Sequence, residues 1–204
     1  MPEVLAEASR LAFGQNWQAA APLFREAEAS FAAQNDQRNV LYAHIGRLLG
    51  EIESQSLPEV SEYLAGILTS PVTESDLRLR LFCLVAKGDI NFQIDPKSSE
   101  AIWTEVATVA VRLRDNSWKN RAQAELGTIA FYKGEIYRGA RMVTESYMAA
   151  EIRGDTAYVI RLQASFGGGF AEFGHTKDAL VLRWRPKVAE GDTGCRIPLH
   201  GITG

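Results

Sequence analysis

Gly14-Gln-Asn-Trp17-Gln-Ala-Ala20-Ala-Pro-Leu-Phe24-Arg-Glu-Ala27 sets a glycine before an aromatic residue, with small or apolar residues three, seven and ten positions beyond Trp17. That spacing keeps one face of an α-helix apolar. The phrase returns as Gly134-Glu-Ile-Tyr137-Arg-Gly-Ala140 and again as Gly174-His-Thr-Lys-Asp-Ala179-Leu180. Gly134 lies three periods of forty after Gly14, and Gly174 lies one period further on. Between them, Leu57, Val60, Leu64 and Ile67 each stand forty residues after Trp17, Ala20, Phe24 and Ala27. A helical phrase repeating at a fixed period of this size predicts a stacked array in which each unit packs on its neighbours.

Before the phrase, Val4 to Phe13 carries Val4, Leu5, Ala8, Leu11 and Ala12 at helical spacing, and Gly14 ends that helix. Trp17 to about Ala33 forms the returning helix. Pro22 is its weak point, because an interior proline costs about 3 kcal/mol, so the helix is expected to start near Ala19 or to bend. A second unit runs from Arg38 through Leu41, Ile45, Leu48, Leu49 and Ile52, turns at Ser54-Gln-Ser56 and continues through Leu57 to Ile67. Thr73 to Asp76 has the order of an N-cap followed by first-turn acids. The third pair holds Leu77 to Val85 and, after Asp95-Pro-Lys-Ser98, Ala101 to Leu113; the fourth flanks Gly134. The fifth begins near Thr156, passes Ile160, Leu162, Phe166, Phe170 and Phe173, and enters Ala179 to Leu182. The expectation is all-α: about five antiparallel helix pairs over residues 1–182 in one continuous α-solenoid. Residues 183–204 depart from it, with Pro186 where a helix should continue and no capping helix beyond, so they read as an irregular tail, the truncated or altered end of a longer array or one part of a larger polypeptide.

The 204 residues are 46% hydrophobic and 23% charged, ordinary for a globular chain. A formal charge of -3 offers no general attraction to nucleic acid or anionic membranes, so neither is expected as a partner. No segment approaches the uninterrupted apolar length of a membrane span, and Met1-Pro-Glu-Val-Leu-Ala-Glu7 lacks a basic region before an apolar one, so the chain reads as cytoplasmic. Cys83, in the apolar run Leu81-Phe-Cys-Leu-Val85, reads as a core residue, and with Cys195 it makes no disulfide framework.

The phrase resembles the tetratricopeptide repeat and its longer relatives of bacterial regulatory and scaffold proteins. The match is carried by Trp17, Ala20, Phe24 and Ala27 in unit one, Leu126-Gly127 and Gly134 in unit four, and Phe166-Gly167, Phe170, Gly174 and Ala179 in unit five. Units two and three match less well, the proline that ends each repeat in the family is missing after units one and four, and the period of forty implies longer helices or loops. The resemblance implies a right-handed superhelix whose first helices line a concave groove for a peptide or helix of another protein. Small residues, Ala20, Gly127, Ala140, Gly167 and Ala179, would then let helices approach closely.

Within that groove the candidates are the polar residues of the first helices: Arg47, Arg80, Lys87, Arg121, Glu125, Arg161 and Gln163. So many arginines favour an acidic segment, through paired hydrogen bonds to carboxylates. No cofactor or metal is expected. Asp89-Ile-Asn-Phe-Gln-Ile-Asp95 has the spacing of a calcium loop but Ile94 in place of its turn glycine, and reads instead as an inter-helix turn capped by Asp95 or Ser98. Phe166-Gly-Gly-Gly-Phe170 lacks the lysine and hydroxyl of a phosphate loop. His44, His175 and His200 lack partners at metal-ligand spacing, and no nucleophile motif is present, so no reaction is assigned. An enzyme would need Glu125, His44 and arginines to converge in one pocket. The reading is a protein-interaction scaffold or adaptor. The alternative is the sensory domain of a larger regulatory protein that binds a small ligand or signalling peptide.

Overall fold

The computed structural model describes residues 2–13, 16–156 and 158–163, and every regular element among them is helical. Helix α1 (Pro2–Phe13) starts on a proline, whose fixed φ suits a first helical position. Helix α2 (Trp17–Ala33) is capped by Asn16, whose Oδ1 accepts from the Ala19 N–H at 3.3 Å. Helix α3 (Gln37–Gly50) leads through a 3₁₀ turn (Ile52–Ser54) to α4 (Leu57–Leu68) and the short α5 (Pro71–Ser75). Helix α6 (Leu77–Ile94) joins α7 (Glu100–Arg112) through a second 3₁₀ turn (Pro96–Ser99), and α8 (Asn116–Tyr132) and α9 (Ile136–Arg153) follow. Residue contacts divide the chain after Ala157. The described residues of the second unit, Tyr158–Gln163, are helical, with Tyr158, Val159 and Leu162 buried.

One turn recurs at the helix ends. After α2, α7, α8 and α9 the backbone passes through left-handed geometry at Asn35 (φ 56), Arg114 (φ 56), Gly134 (φ 81) and Gly154 (φ 70). The next residue then reaches back five positions: the N–H groups of Asp36, Asp115, Glu135 and Asp155 donate to the carbonyls of Phe31, Ala110, Ala130 and Ala150 at 2.9–3.0 Å. These bonds satisfy carbonyls that a helix C-terminus leaves without intrahelical partners. Asp36 and Asp115 also open the following helices, accepting from the Asn39 and Trp118 N–H groups at 3.1 Å. One acid thereby closes one helix and starts the next. Arg114 and Gly154 are forty residues apart, so this turn keeps the sequence register.

Packing is local. The first helices bury Ala8, Ala12, Ala20, Phe24, Ala27, Phe31 and Ala43 together across α1, α2 and α3. A second cluster joins α3, α4 and α6 through Ile45, Leu49, Val60, Leu64, Ile67, Leu79, Phe82, Cys83, Ala86 and Ile90. A third joins α6, α7 and α8 around the fully buried Trp103, with Leu81, Leu84, Val85, Val106, Val109 and Ile129. Helix α6 therefore packs on both sides, which explains why its apolar residues are not confined to one face. The forty-residue correspondence holds in burial: Ala20, Phe24 and Ala27 of α2 and Val60, Leu64 and Ile67 of α4 are all in the core.

Helices α8 and α9 meet through glycines. A Cβ on Gly127 would lie 2.6 Å from Val143 Cγ2, and one on Gly139 only 2.7 Å from the Gly127 carbonyl oxygen. The expected close approach at Gly127 is present, but its partner is Gly139; Ala140, one residue on, is turned to solvent.

Other expectations need correction. Helix α2 starts at Trp17, not near Ala19, because the Asn16 cap fixes its first turn ahead of Pro22. The cap of α6 is Asp76, whose Oδ1 accepts from the Arg78 and Leu79 N–H groups at 2.9 Å; Thr73 is buried inside α5, a helix the periodicity did not suggest. Asp89, Asn91 and Gln93 lie within α6, so the calcium-like spacing falls on a helix, and Asp95 caps the following turn through the Lys97 N–H at 3.1 Å. Ile160 is 60% exposed, because its neighbours Val159 and Leu162 occupy the buried face. Gly14, the fifth-unit phrase from Phe166 to Leu182, and the tail 183–204 lie outside the described residues.

Candidate functional site

The sequence candidates are mostly held by partners within the chain. Arg47 of α3 donates through Nε to Glu28 at 2.6 Å and through a terminal nitrogen to Glu51 at 2.9 Å. His44 Nδ1 sits 2.7 Å from the other Glu28 oxygen and 3.2 Å from a terminal nitrogen of Arg47. Burial pushes the Glu28 carboxyl up, but the hydrogen bonds from Arg47 and His44 outweigh it and hold Glu28 below the ordinary carboxylate range. Arg80 of α6 donates to Glu105 of α7 through two nitrogens, one at 3.0 Å, and to the Leu68 carbonyl at 3.2 Å. Arg121 of α8 is only 6% exposed at its side chain; one terminal nitrogen donates to both Asp89 oxygens at 2.7 Å, and Glu125 lies 3.6 Å away. Its guanidinium carbon also stands 5.4 and 5.2 Å from the ring centroids of Trp103 and Trp118, within cation–π range.

Lys87 has a different environment. Its Nζ donates to the carbonyl and hydroxyl oxygens of Ser61, each at 2.9 Å, and burial pulls its pKa down. Arg161 and Gln163 are half-buried residues of the helical stretch after Ala157. The structure thus brings Arg121, Glu125 and Asp89 together, and separately His44, Arg47 and Glu28, and uses these charges to tie helices to one another. Arginine forks already bonded to carboxylates of the chain are poor recruits for the carboxylates of a peptide, since the internal pair must first be broken.

A cleft of about 350 Å³ opens elsewhere, among the first helices of successive pairs. Helix α1 supplies Leu5 and Ser9, α3 supplies Arg38, Asn39 and Tyr42, α6 supplies Arg78 and Phe82, and Asp115 and Trp118 come from the start of α8. Tyr42 and Phe82 stack at 4.1 Å with their rings 13° apart, giving the cleft a flat aromatic wall. Burial raises the Tyr42 pKa, against the opposing effects of Ser9 and of the Arg38 and Arg78 charges, so the phenol stays neutral and able to donate. Arg38 bonds Asp76 and, at 2.8 Å, the Asn39 side-chain oxygen. Arg78 is exposed, and among the described residues no hydrogen bond or ion pair engages its side chain.

None of these residues was among the sequence candidates, yet a signal for them existed. Arg38, Arg78 and Trp118 are spaced by forty, as are the stacked Tyr42 and Phe82. The repeat register therefore places them at equivalent positions near the starts of α3, α6 and α8. Among the described residues no group of three or more His, Cys, Asp or Glu could hold a metal ion, and no helix is long and apolar enough to cross a membrane.

Comparison of the chain with protein-family models, with curated proteins and with solved structures finds no match. The cleft and its chemistry carry the functional reading.

Proposed function

We propose that the chain is a tetratricopeptide-like helical solenoid acting as a protein-interaction scaffold or adaptor, with a peptide segment of another protein held in the cleft between α1, α3, α6 and α8. The observation that carries this reading is the cleft's origin in register-equivalent residues, Arg38, Arg78 and Trp118, since a repeat that exposes the same position on successive units builds an extended binding surface. The local clusters, each shared by neighbouring helices, support the solenoid. In the cleft, Arg78 offers a guanidinium to a carboxylate, while the Tyr42–Phe82 wall and Trp118 take an apolar side chain. A second reading, a sensory domain for a small ligand, is favoured by the cleft volume, which lies within the range of small-molecule sites.

Quantitative affinity capture from the source cell tests the proposal, comparing the wild-type chain with Arg78→Glu and with Lys97→Glu as an exposed control outside the cleft. A protein retained by the wild type and the control but lost by Arg78→Glu is the expected result. Equal capture by all three refutes the cleft, and binding of a metabolite-sized ligand in its place shifts the assignment to the sensory reading.

A further inference from the structure

A second groove, of about 510 Å³, lies between α7 and α9 over α8, apart from the residues of the cleft. Its surface is apolar: Ala107 and Val111 from α7, Leu126 from α8 and Met142 from α9. Val111 is 57% exposed and adds to the apolar surface of the groove. Two cations, Arg112 of α7 and Lys119 of α8, border it. Among the described residues neither side chain has a hydrogen bond or an ion pair, in contrast to Arg47, Arg80 and Arg121. On the side of α9, Glu145 is held by Gln123 at 2.8 Å and pairs with Arg141 at 4.0 Å. The groove is thus apolar along its floor and positive where α7 meets α8.

We propose that this groove docks an amphipathic helix of a partner protein, apolar on the face that enters and acidic along the edge that meets Arg112 and Lys119. A helix presents apolar residues at i, i+3, i+4 and i+7 on one face, which suits a trough bounded by two helices. Arg112 and Lys119 choose the sign of the flanking residues. The site is independent of the cleft and uses none of its residues.

The test uses a fluorescein-labelled synthetic helix of about four turns, with leucine on one face and glutamate beside it, and a second peptide with lysine replacing each glutamate. Anisotropy titrations compare the wild-type chain with Arg112→Glu/Lys119→Glu, with Val111→Asp and with Arg78→Glu. All four positions are exposed, so the variants keep the native fold, which circular dichroism checks. The acidic probe should bind the wild type and Arg78→Glu alike, weaken at least about tenfold in the double variant and in Val111→Asp, and weaken with added salt. The lysine probe should prefer the double variant. Absence of acidic-probe binding, or binding indifferent to Arg112, Lys119 and Val111, overturns the proposal. A loss confined to Arg78→Glu would assign the probe to the cleft and likewise overturn it.

Discussion

Replacing Gly139 by alanine should destabilise the chain, although alanine is the better helix former. The new Cβ would stand 2.7 Å from the Gly127 carbonyl oxygen and 3.0 and 3.1 Å from two Phe131 ring atoms. Ordinary contacts fall near 3.5–4.0 Å. The oxygen belongs to the α8 backbone and cannot rotate away, so the two helices must part by several tenths of an ångström along a surface that includes Val143 and Ser146, whose hydroxyl donates to the Asn120 carbonyl at 2.8 Å. Overpacking of this kind costs about 1–3 kcal/mol. The gain from replacing glycine in a helix interior is at most about 1 kcal/mol. The net expectation is a loss of up to about 2 kcal/mol, or a fall in Tm of up to about 8 °C for a chain of this size. Gly66 of α4 is the internal control: a Cβ there meets nothing within 4 Å, so Gly66→Ala should keep the propensity gain and raise stability by about 0.5–1 kcal/mol. Thermal and urea unfolding followed by helical circular dichroism measure both. A Gly139→Ala protein as stable as Gly66→Ala would refute the argument from close approach.

Two further outcomes follow from the ion pairs. Arg121→Ala should cost about 3 kcal/mol, the lower end for breaking a buried pair because Asp89 keeps some access to water, and urea midpoints should show it well above the effect of Arg78→Glu, an exposed change that breaks nothing. Stability should also fall in acid. Hydrogen bonds from Arg38 hold Asp76 below its ordinary value, those from Arg25 do the same for Glu51, and Arg47 and His44 outweigh burial at Glu28. A carboxyl depressed in the folded state contributes its stability fully above the unfolded pKa of about 4 and loses it as pH falls through the folded value. Urea midpoints against pH should therefore be level near neutrality and decline below about pH 5. Asp76→Asn, which keeps a capping oxygen but removes the titration, should make that decline shallower; an unchanged acid limb would count against the Arg38–Asp76 pair.

Much of the fold was legible in residue order. The forty-residue correspondence of Trp17, Ala20, Phe24 and Ala27 with Leu57, Val60, Leu64 and Ile67 marked two helices that begin forty residues apart and bury matching faces. Helical periodicity and capping are local properties, decided within one or two turns of chain, so a sequence states them directly. Where local signals compete, as at Thr73 against Asp76 or Ala19 against Trp17, the side chain that reaches free N–H groups decides, and that depends on where the preceding chain enters the helix.

The site was less legible, for a different reason. Arg80 and Arg78 stand on the same helix two residues apart, and nothing local separates them as functional candidates. Their fates diverge because Glu105 of α7 comes within bonding distance of one guanidinium while the other faces the cleft beside Tyr42 and Trp118. Arg121 is similar: its carboxylate partner Asp89 lies on α6, thirty-two positions earlier, and its aromatic neighbours include Trp103 on α7. Residue order alone carried most of the described helices, though not α5, and the forty-residue spacing of Arg38, Arg78 and Trp118. Which charges are neutralised and which remain open follows from packing, because Coulomb attraction and hydrogen bonding act over a few ångströms of space between residues that the chain order keeps far apart.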